Sequence, residues 1–264
     1  MNEKALLEHA RVGILEAVAR YTILIDVSYA SSKSSSWGTG TLFKIKDKLF
    51  IGTCKHVVEP DYRTEDIRVI YKSDAPMKWT KKDEIKKYPL NAVLKKVTIT
   101  TAQKISIINR FYSDDLDDLA LIELEPSLEN VKGFQFFTLT DSSIKSADIN
   151  TQVYLMGFSV ELARQVTREG YGTFPYFEES KIIDSSNNLQ NFYPQRHFLT
   201  NFETTEDSVD PHGLSGCAVW TRLPSGKNNL WTPNLRLVGV QHGYYNKPQV
   251  LVATRIERLL KLVI

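Results

Sequence analysis

Only two cysteines occur in the 264 residues, Cys54 and Cys217, and they make no CxxC spacing. That excludes a zinc ribbon or a redox dithiol built on neighbouring thiols. Two small residues packed in the interior and one long-range disulfide both remain open readings, and low cysteine use fits a reducing compartment. Charge of one sign is also scarce: Lys plus Arg exceed Asp plus Glu by 33 − 31 = 2. Neither nucleic acid nor an anionic membrane is therefore expected as an obligate partner. Long apolar runs are missing too, since the stretch from Tyr21 to Val27 is short and carries Asp26. The opening MNEKALLEHARVG has no basic segment followed by an apolar one, so no secretory signal is expected there and the cytoplasm is the default location. A glycine-rich phosphate cradle and an HExxH helix are both absent, so no metal and no organic cofactor is expected.

What is present is a procession of short β-like segments between two helices. Glu3 to Arg20 has apolar residues at helical spacing, with one face to bury on the body or against a partner protein. Tyr21 to Tyr29 reads as a strand. Beyond the Ser-rich loop Ala30 to Ser36, Thr39 to Ile45 and Lys48 to Thr53 form a hairpin around Lys46-Asp47. Further strands are expected at Ile67–Tyr71, Asn91–Ile99, Lys104–Arg110 and the almost wholly apolar Leu119–Leu124. In the second half they are expected at Thr151–Gly157, Gln165–Thr173, His197–Phe202, Cys217–Trp220, Leu235–Gln241 and Val250–Thr254. Lys181 to Tyr193 reads as an exposed loop, Leu223 to Asn229 as a hairpin turn, and Arg255 to Val263 as a closing helix. The pattern predicts an all-β chain of two β-barrel lobes, with a change of half near Pro126 to Phe134. The expected divisions are a helix and leading strand at 1–29, a first lobe at 30–130 and a second at 131–264.

Three polar residues stand in wrappings able to fix a side chain tightly enough for chemistry. His56 lies in FIGTCKHVV, Asp118 opens DLALIEL, and Ser215 sits in HGLSGCAVW. A lone serine is a poor nucleophile, and a positioned imidazole makes it a good one. Free imidazole titrates near pH 6.5, so His56 suits proton transfer near neutrality. Asp118 competes with Asp114, Asp115 and Asp117 for the orienting role. A solvated acidic loop accounts for the other three, and Asp118 leads directly into LALIEL. His212 and His242 lack the wrapping of a base and read as ordinary packed or hydrogen-bonded histidines near the cleft.

The stretches GTGTLF, GTCKHVV, DLALIEL, VYLMGF, GLSGCAV and LVGVQHG, from Trp37 to about Thr254, together resemble the chymotrypsin-like serine peptidase family, in its intracellular or bacterial style. The resemblance implies two six-stranded antiparallel β-barrels and a Ser-His-Asp triad of Ser215, His56 and Asp118. It also implies an oxyanion hole from the N–H groups of Gly213 and Ser215. Leu214 stands where the secreted digestive members often carry an aspartate, so activation through that salt bridge is not expected. The side-chain pocket should be lined by Asp207 to His212 and Gln241 to Tyr245. An exposed acidic loop is the leading reading of Asp207 and Asp210; in the pocket either would attract Lys or Arg, while Tyr244 and Tyr245 would instead narrow it or stack on an apolar side chain. Gln241, His242, Gly243 and Tyr244 should pair with an extended substrate backbone. The implied activity is endopeptidase action on a peptide or protein. The competing readings are a non-catalytic peptide-binding or scaffold module on the same fold and an esterase of small substrates.

Overall fold

The computed structural model describes residues 3–28, 35–58, 67–70, 103–104, 107–130, 134–162, 164–167, 170–172, 175–184, 189–203, 209–223 and 234–263. Helix α1 (Glu3–Ala19) opens the chain, followed by β1 (Thr22–Ser28), β2 (Ser35–Ile45), β3 (Lys48–Cys54) and the four-residue helix α2 (Lys55–Val58). Next come β4 (Ile67–Ile70), β5 (Gln103–Lys104), β6 (Ile107–Asp114), β7 (Leu119–Leu124) and β8 (Phe137–Leu139). The second half holds β9 (Gln152–Gly157), β10 (Arg164–Thr167), β11 (Gly170–Gly172), β12 (Tyr176–Ile183), β13 (His197–Asn201), β14 (Ala218–Arg222), β15 (Leu235–Tyr245) and β16 (Val250–Arg255). Helix α3 (Ile256–Leu260) closes it.

The two halves are built differently. Strands β12-β13-β16-β15-β14-β9 form a closed six-stranded barrel, as expected. Among the described residues the first half forms a sheet with no closed second barrel. Its described strands make an eight-stranded sheet in the order β5-β4-β1-β2-β3-β7-β6, with β8 pairing β2 in parallel. Closure would require β5 to pair with β6, but β5 has two residues and pairs only with β4 among the described residues. The β2–β3 hairpin has the expected register, with Ile45 opposite Lys48 and Lys46 at φ 54°. The segment 165–173 is two paired strands rather than one, and Lys181–Ile183 belongs to β12 rather than to a loop. The expected strand at 91–99 and most of the turn at 223–229 lie outside the described residues.

Strands buried on both faces read as continuous apolar sequence, which is why LALIEL has every residue buried. Its one acid, Glu123, is paired with Lys48 and accepts a hydrogen bond from the Tyr112 hydroxyl. One core runs from Ile14, Leu15 and Val18 of α1 through Phe43, Phe50 and Ile51 of the first sheet to Trp220 and Leu237 of the barrel. Burying each such side chain contributes about 2 kcal/mol. Phe137 of β8 meets Trp220 edge-on at 4.8 Å and Tyr21 at 5.4 Å, so aromatic contact joins sheet, barrel and helix end. A second core of Val153, Leu155, Cys217, Val219, Val238 and Leu251 packs separately, with alternate residues of β9 and β14 serving the two cores.

Candidate active site

His56 stands on α2, directly after β3 ends at Cys54. Sequence alone gives no reason for a helix at Lys-His-Val-Val, because β-branched residues are poor helix formers. The helix is made by its surroundings. Val57 and Val58 are buried, and Asp118 meets the unpaired N–H groups of the first turn. Lys55 N–H donates to the Asp118 carbonyl at 3.1 Å, and His56 N–H to Asp118 Oδ1 at 3.0 Å. The other carboxylate oxygen, Oδ2, lies 2.5 Å from His56 Nδ1. Asp118 thus holds both the backbone and the ring of His56. It does so from a left-handed backbone (φ 48°), which costs a non-glycine residue on the order of 1 kcal/mol.

Ser215 lies in the turn entering β14, between Gly213 (φ 94°) and Gly216 (φ 92°). Both glycines are required there. A Cβ on Gly216 would meet the Thr39 carbonyl oxygen at 2.0 Å, and one on Gly213 the Phe158 carbonyl oxygen at 2.4 Å. Thr39, in the GTGT of β2, fastens the turn. Its N–H donates to the Ser215 carbonyl (2.8 Å) and its hydroxyl to the Gly213 carbonyl (2.8 Å). The same hydroxyl accepts from Phe158 N–H (3.0 Å), and Thr53 Oγ1 donates to the Thr39 carbonyl (2.8 Å). Leu214 N–H donates to Pro211 and Gly216 N–H to the Gln241 carbonyl. Among the described residues, the N–H groups of Gly213 and Ser215 have no such acceptor, so the two donors expected at an oxyanion hole remain uncommitted.

The segments carrying His56 and Ser215 converge on the Gln241 carbonyl. It accepts Gly216 N–H at 2.8 Å and the Cys54 thiol at 3.1 Å. The residue after Ser215 and the residue two before His56 therefore share one acceptor across the seam. Cys54 and Cys217 are free and fully buried. Burial, followed by the charges of Asp118 and Cys217, pushes the Cys54 thiol well above its ordinary range. Cys54, His56 and Asp118 present one ligand atom each within 4.8 Å of one another. That thiol is nevertheless held protonated on a carbonyl, and both carboxylate oxygens already serve His56, so the trio is committed to internal hydrogen bonds.

The predicted substrate-binding residues separate into two groups. Gln241 is a correction: it is buried, its N–H donates to Cys217, and its carbonyl is occupied, so no substrate strand can pair there. The strand β15 bulges between Gln241 and Gly243, opposite Ala253 and Val252. His242 is the extra residue, and a bulge re-aims its side chain. Its ring turns inward, with Nδ1 3.9 Å from Asp118 Oδ2 and its centroid 4.8 Å from the His197 ring. Burial lowers its pKa to about 4, assisted by His197 and opposed by Asp118. Gly243 to Tyr245 pair with β16, and the Gly243 carbonyl accepts from the Gln241 side-chain amide at 3.0 Å. Tyr244 packs edge-on against Phe202 at 5.6 Å, and the Tyr245 hydroxyl donates to the Gln190 carbonyl. Asp210 and His212 are exposed and bonded to each other, ring to carboxylate, with Asp210 N–H on Glu161. Asp207 lies outside the described residues.

Three residues around the site were not singled out from sequence: Thr39, His197 and Asp117. Thr39 had a signal, a hydroxyl between two glycines in a strand. His197 is buried behind His242, with Nδ1 accepting from Tyr193 N–H at 3.3 Å. Asp117 corrects the reading of a solvated acidic loop: it is 1% exposed and paired with two arginines.

No protein-family model and no curated protein sequence matches the chain. Solved structures do. The chain is similar to a scabies mite inactivated protease paralogue at a TM-score of 0.54, with 14% identity over 96% of each chain. It is similar to a serine endoprotease from Yersinia pestis at a TM-score of 0.55, with 14% identity over 96% of this chain and 64% of that one. An M. tuberculosis protease in its active form matches at a TM-score of 0.52, with 12% identity over 95% and 82% of the two chains. The fold is that of the chymotrypsin-like serine proteases.

Proposed function

We propose that the chain is a serine endopeptidase working through an acyl-enzyme on Ser215. The observation that carries this reading is the two-point hold of Asp118 on His56. With Nδ1 engaged by the carboxylate, the imidazole keeps Nε2 for the nucleophile. In the proposed sequence Nε2 takes the Ser215 hydroxyl proton as Oγ attacks the substrate carbonyl carbon. The oxygen that gains charge is received by the N–H groups of Gly213 and Ser215. His56⁺ then gives the proton to the departing amine as the C–N bond breaks. Water, deprotonated by His56, attacks the ester, and the proton returns to Ser215 as the acid product leaves.

The test is covalent. A serine-directed phosphonate should add one mass increment at Ser215, and Ser215→Ala should abolish both labelling and cleavage of a mixed peptide library. A wild-type protein that stays unlabelled and leaves the library intact would rule the reading out. The second reading, a non-catalytic peptide-binding module, is kept by one observation: an inactivated protease paralogue shares this fold over nearly its whole length. It expects peptide binding without labelling. Faster turnover of simple esters than of any library peptide would point instead to the esterase reading.

A further inference from the structure

Every polar group of Asp117 is taken. Oδ1 accepts Arg196 Nε–H at 2.5 Å and Oδ2 accepts Arg258 Nε–H at 2.6 Å. The carbonyl accepts the Thr254 hydroxyl at 2.7 Å, and the N–H donates to Asp114 Oδ1 at 2.9 Å. Three of these partners come from the other half of the chain. Arg196 precedes β13, Thr254 is in β16, and Arg258 is in α3. Arg196 also reaches Asp114 at 3.2 Å and Arg258 at 3.9 Å. The next residue is Asp118, in its left-handed backbone and holding His56.

We infer that Asp117 is a positioning residue: the Arg196–Asp117–Arg258 clamp pins the β6–β7 turn to the barrel and so keeps Asp118 aimed at His56. The inference rests on the peptidase reading only for its consequence in catalysis, because the aim of Asp118 can be observed without turnover. Four aspartates crowd positions 114 to 118. Their mutual repulsion favours an open, solvated loop, and two guanidinium forks oppose that tendency. Burial pushes the Asp117 carboxyl toward its neutral form, and the hydrogen bonds and charges of Arg196 and Arg258 outweigh it, holding the group below the usual carboxylate range. Freed of the clamp, Asp118 has no reason to keep a left-handed φ, and α2 loses the acceptor at its first turn. A purely structural ion pair would affect stability alone, whereas a positioning pair also affects the His56 ring.

The experiment compares wild type, Arg258→Gln, Arg258→Lys and Asp117→Asn in the full chain. The first readout is the low-field proton resonance of His56 Nδ1–H bonded to Asp118, in unreacted protein. The second is the phosphonate labelling rate at Ser215, with kcat and KM on a library-selected peptide. The expected result is that Arg258→Gln weakens or shifts the resonance and lowers labelling and kcat by roughly tenfold to hundredfold, with KM nearly unchanged. Arg258→Lys should restore part of both. An Arg258→Gln protein that folds with the His56 resonance and labelling rate of wild type overturns the inference. If that variant does not fold, Asp117→Asn, which keeps the side-chain size, carries the same two outcomes. A wild type that never labels, but whose His56 resonance still responds to the clamp variants, sinks the peptidase reading and supports the clamp.

Discussion

The first sheet and the closed barrel divide the work unequally. The barrel carries Ser215 and has every strand paired on both sides, so the Ser215 turn starts from a rigid register. The sheet carries His56 and Asp118, and its described strands do not close on themselves, so side chains add to its alignment. These side chains cross the seam. Thr39 reaches from β2 to Gly213, Cys54 from β3 to Gln241, and Asp117 is gripped by Arg196, Thr254 and Arg258. The comparison teaches that His56 and Asp118 borrow their precision from the half that carries Ser215.

Removing the nucleophile is the largest perturbation. Ser215→Ala should cut turnover roughly a million-fold, and Asp118→Asn roughly ten-thousand-fold, in single-turnover peptide assays. Neither should shift the barrel's thermal unfolding much, which keeps chemistry apart from architecture. Gly216→Ala comes next. Its Cβ would sit 2.0 Å from the Thr39 carbonyl oxygen at a positive φ, so loss of labelling should accompany a fall in melting temperature of many degrees. A variant that melts and labels like wild type would show that the seam tolerates a displaced turn.

Thr39→Val tests one crossing fastener. It strands the Gly213 carbonyl and Phe158 N–H, so a loss of about 1–3 kcal/mol is expected in urea unfolding. Labelling should slow as well, because the same hydroxyl steadies the proposed oxyanion turn. The smallest effect is a change of slope. His242 stays neutral in the folded chain, with its pKa lowered to about 4 by burial, while an unfolded histidine titrates near 6.5. Its contribution is complete above about pH 6.5 and is lost as pH falls toward 4, by on the order of 3 kcal/mol at most. His242→Gln should flatten the urea midpoint between pH 7 and pH 5. An unchanged pH dependence would remove His242 as the source.

A residue's setting can be read from sequence where its neighbours announce it and is hidden where its partners are distant. Asp118 was legible because it opens an apolar strand, and Ser215 because glycines flank it. The role of Asp117 was not legible: its partners lie 79 and 141 residues away, and an acid among acids looks solvated. Helix α2 was invisible for the same reason, since the group that satisfies its first turn is 62 residues on and its own valines argue against a helix. Five of the six barrel strands announced themselves by apolar runs, whereas β12, with its charged Glu178, Glu179 and Lys181, did not. For the first sheet, strand pattern counts strands without fixing which edges meet, and the described strands leave β5 and β6 unjoined.

The two buried thiols give the seam a chemical readout of its own. Cys54 lies on the sheet side and Cys217 on the barrel side, and burial raises both above the range in which thiolate forms readily. An alkylating reagent consumes only thiolate that it can touch. The pace at which a maleimide consumes both in native buffer would therefore count how often the halves part, making the unmodified protein its own breathing gauge.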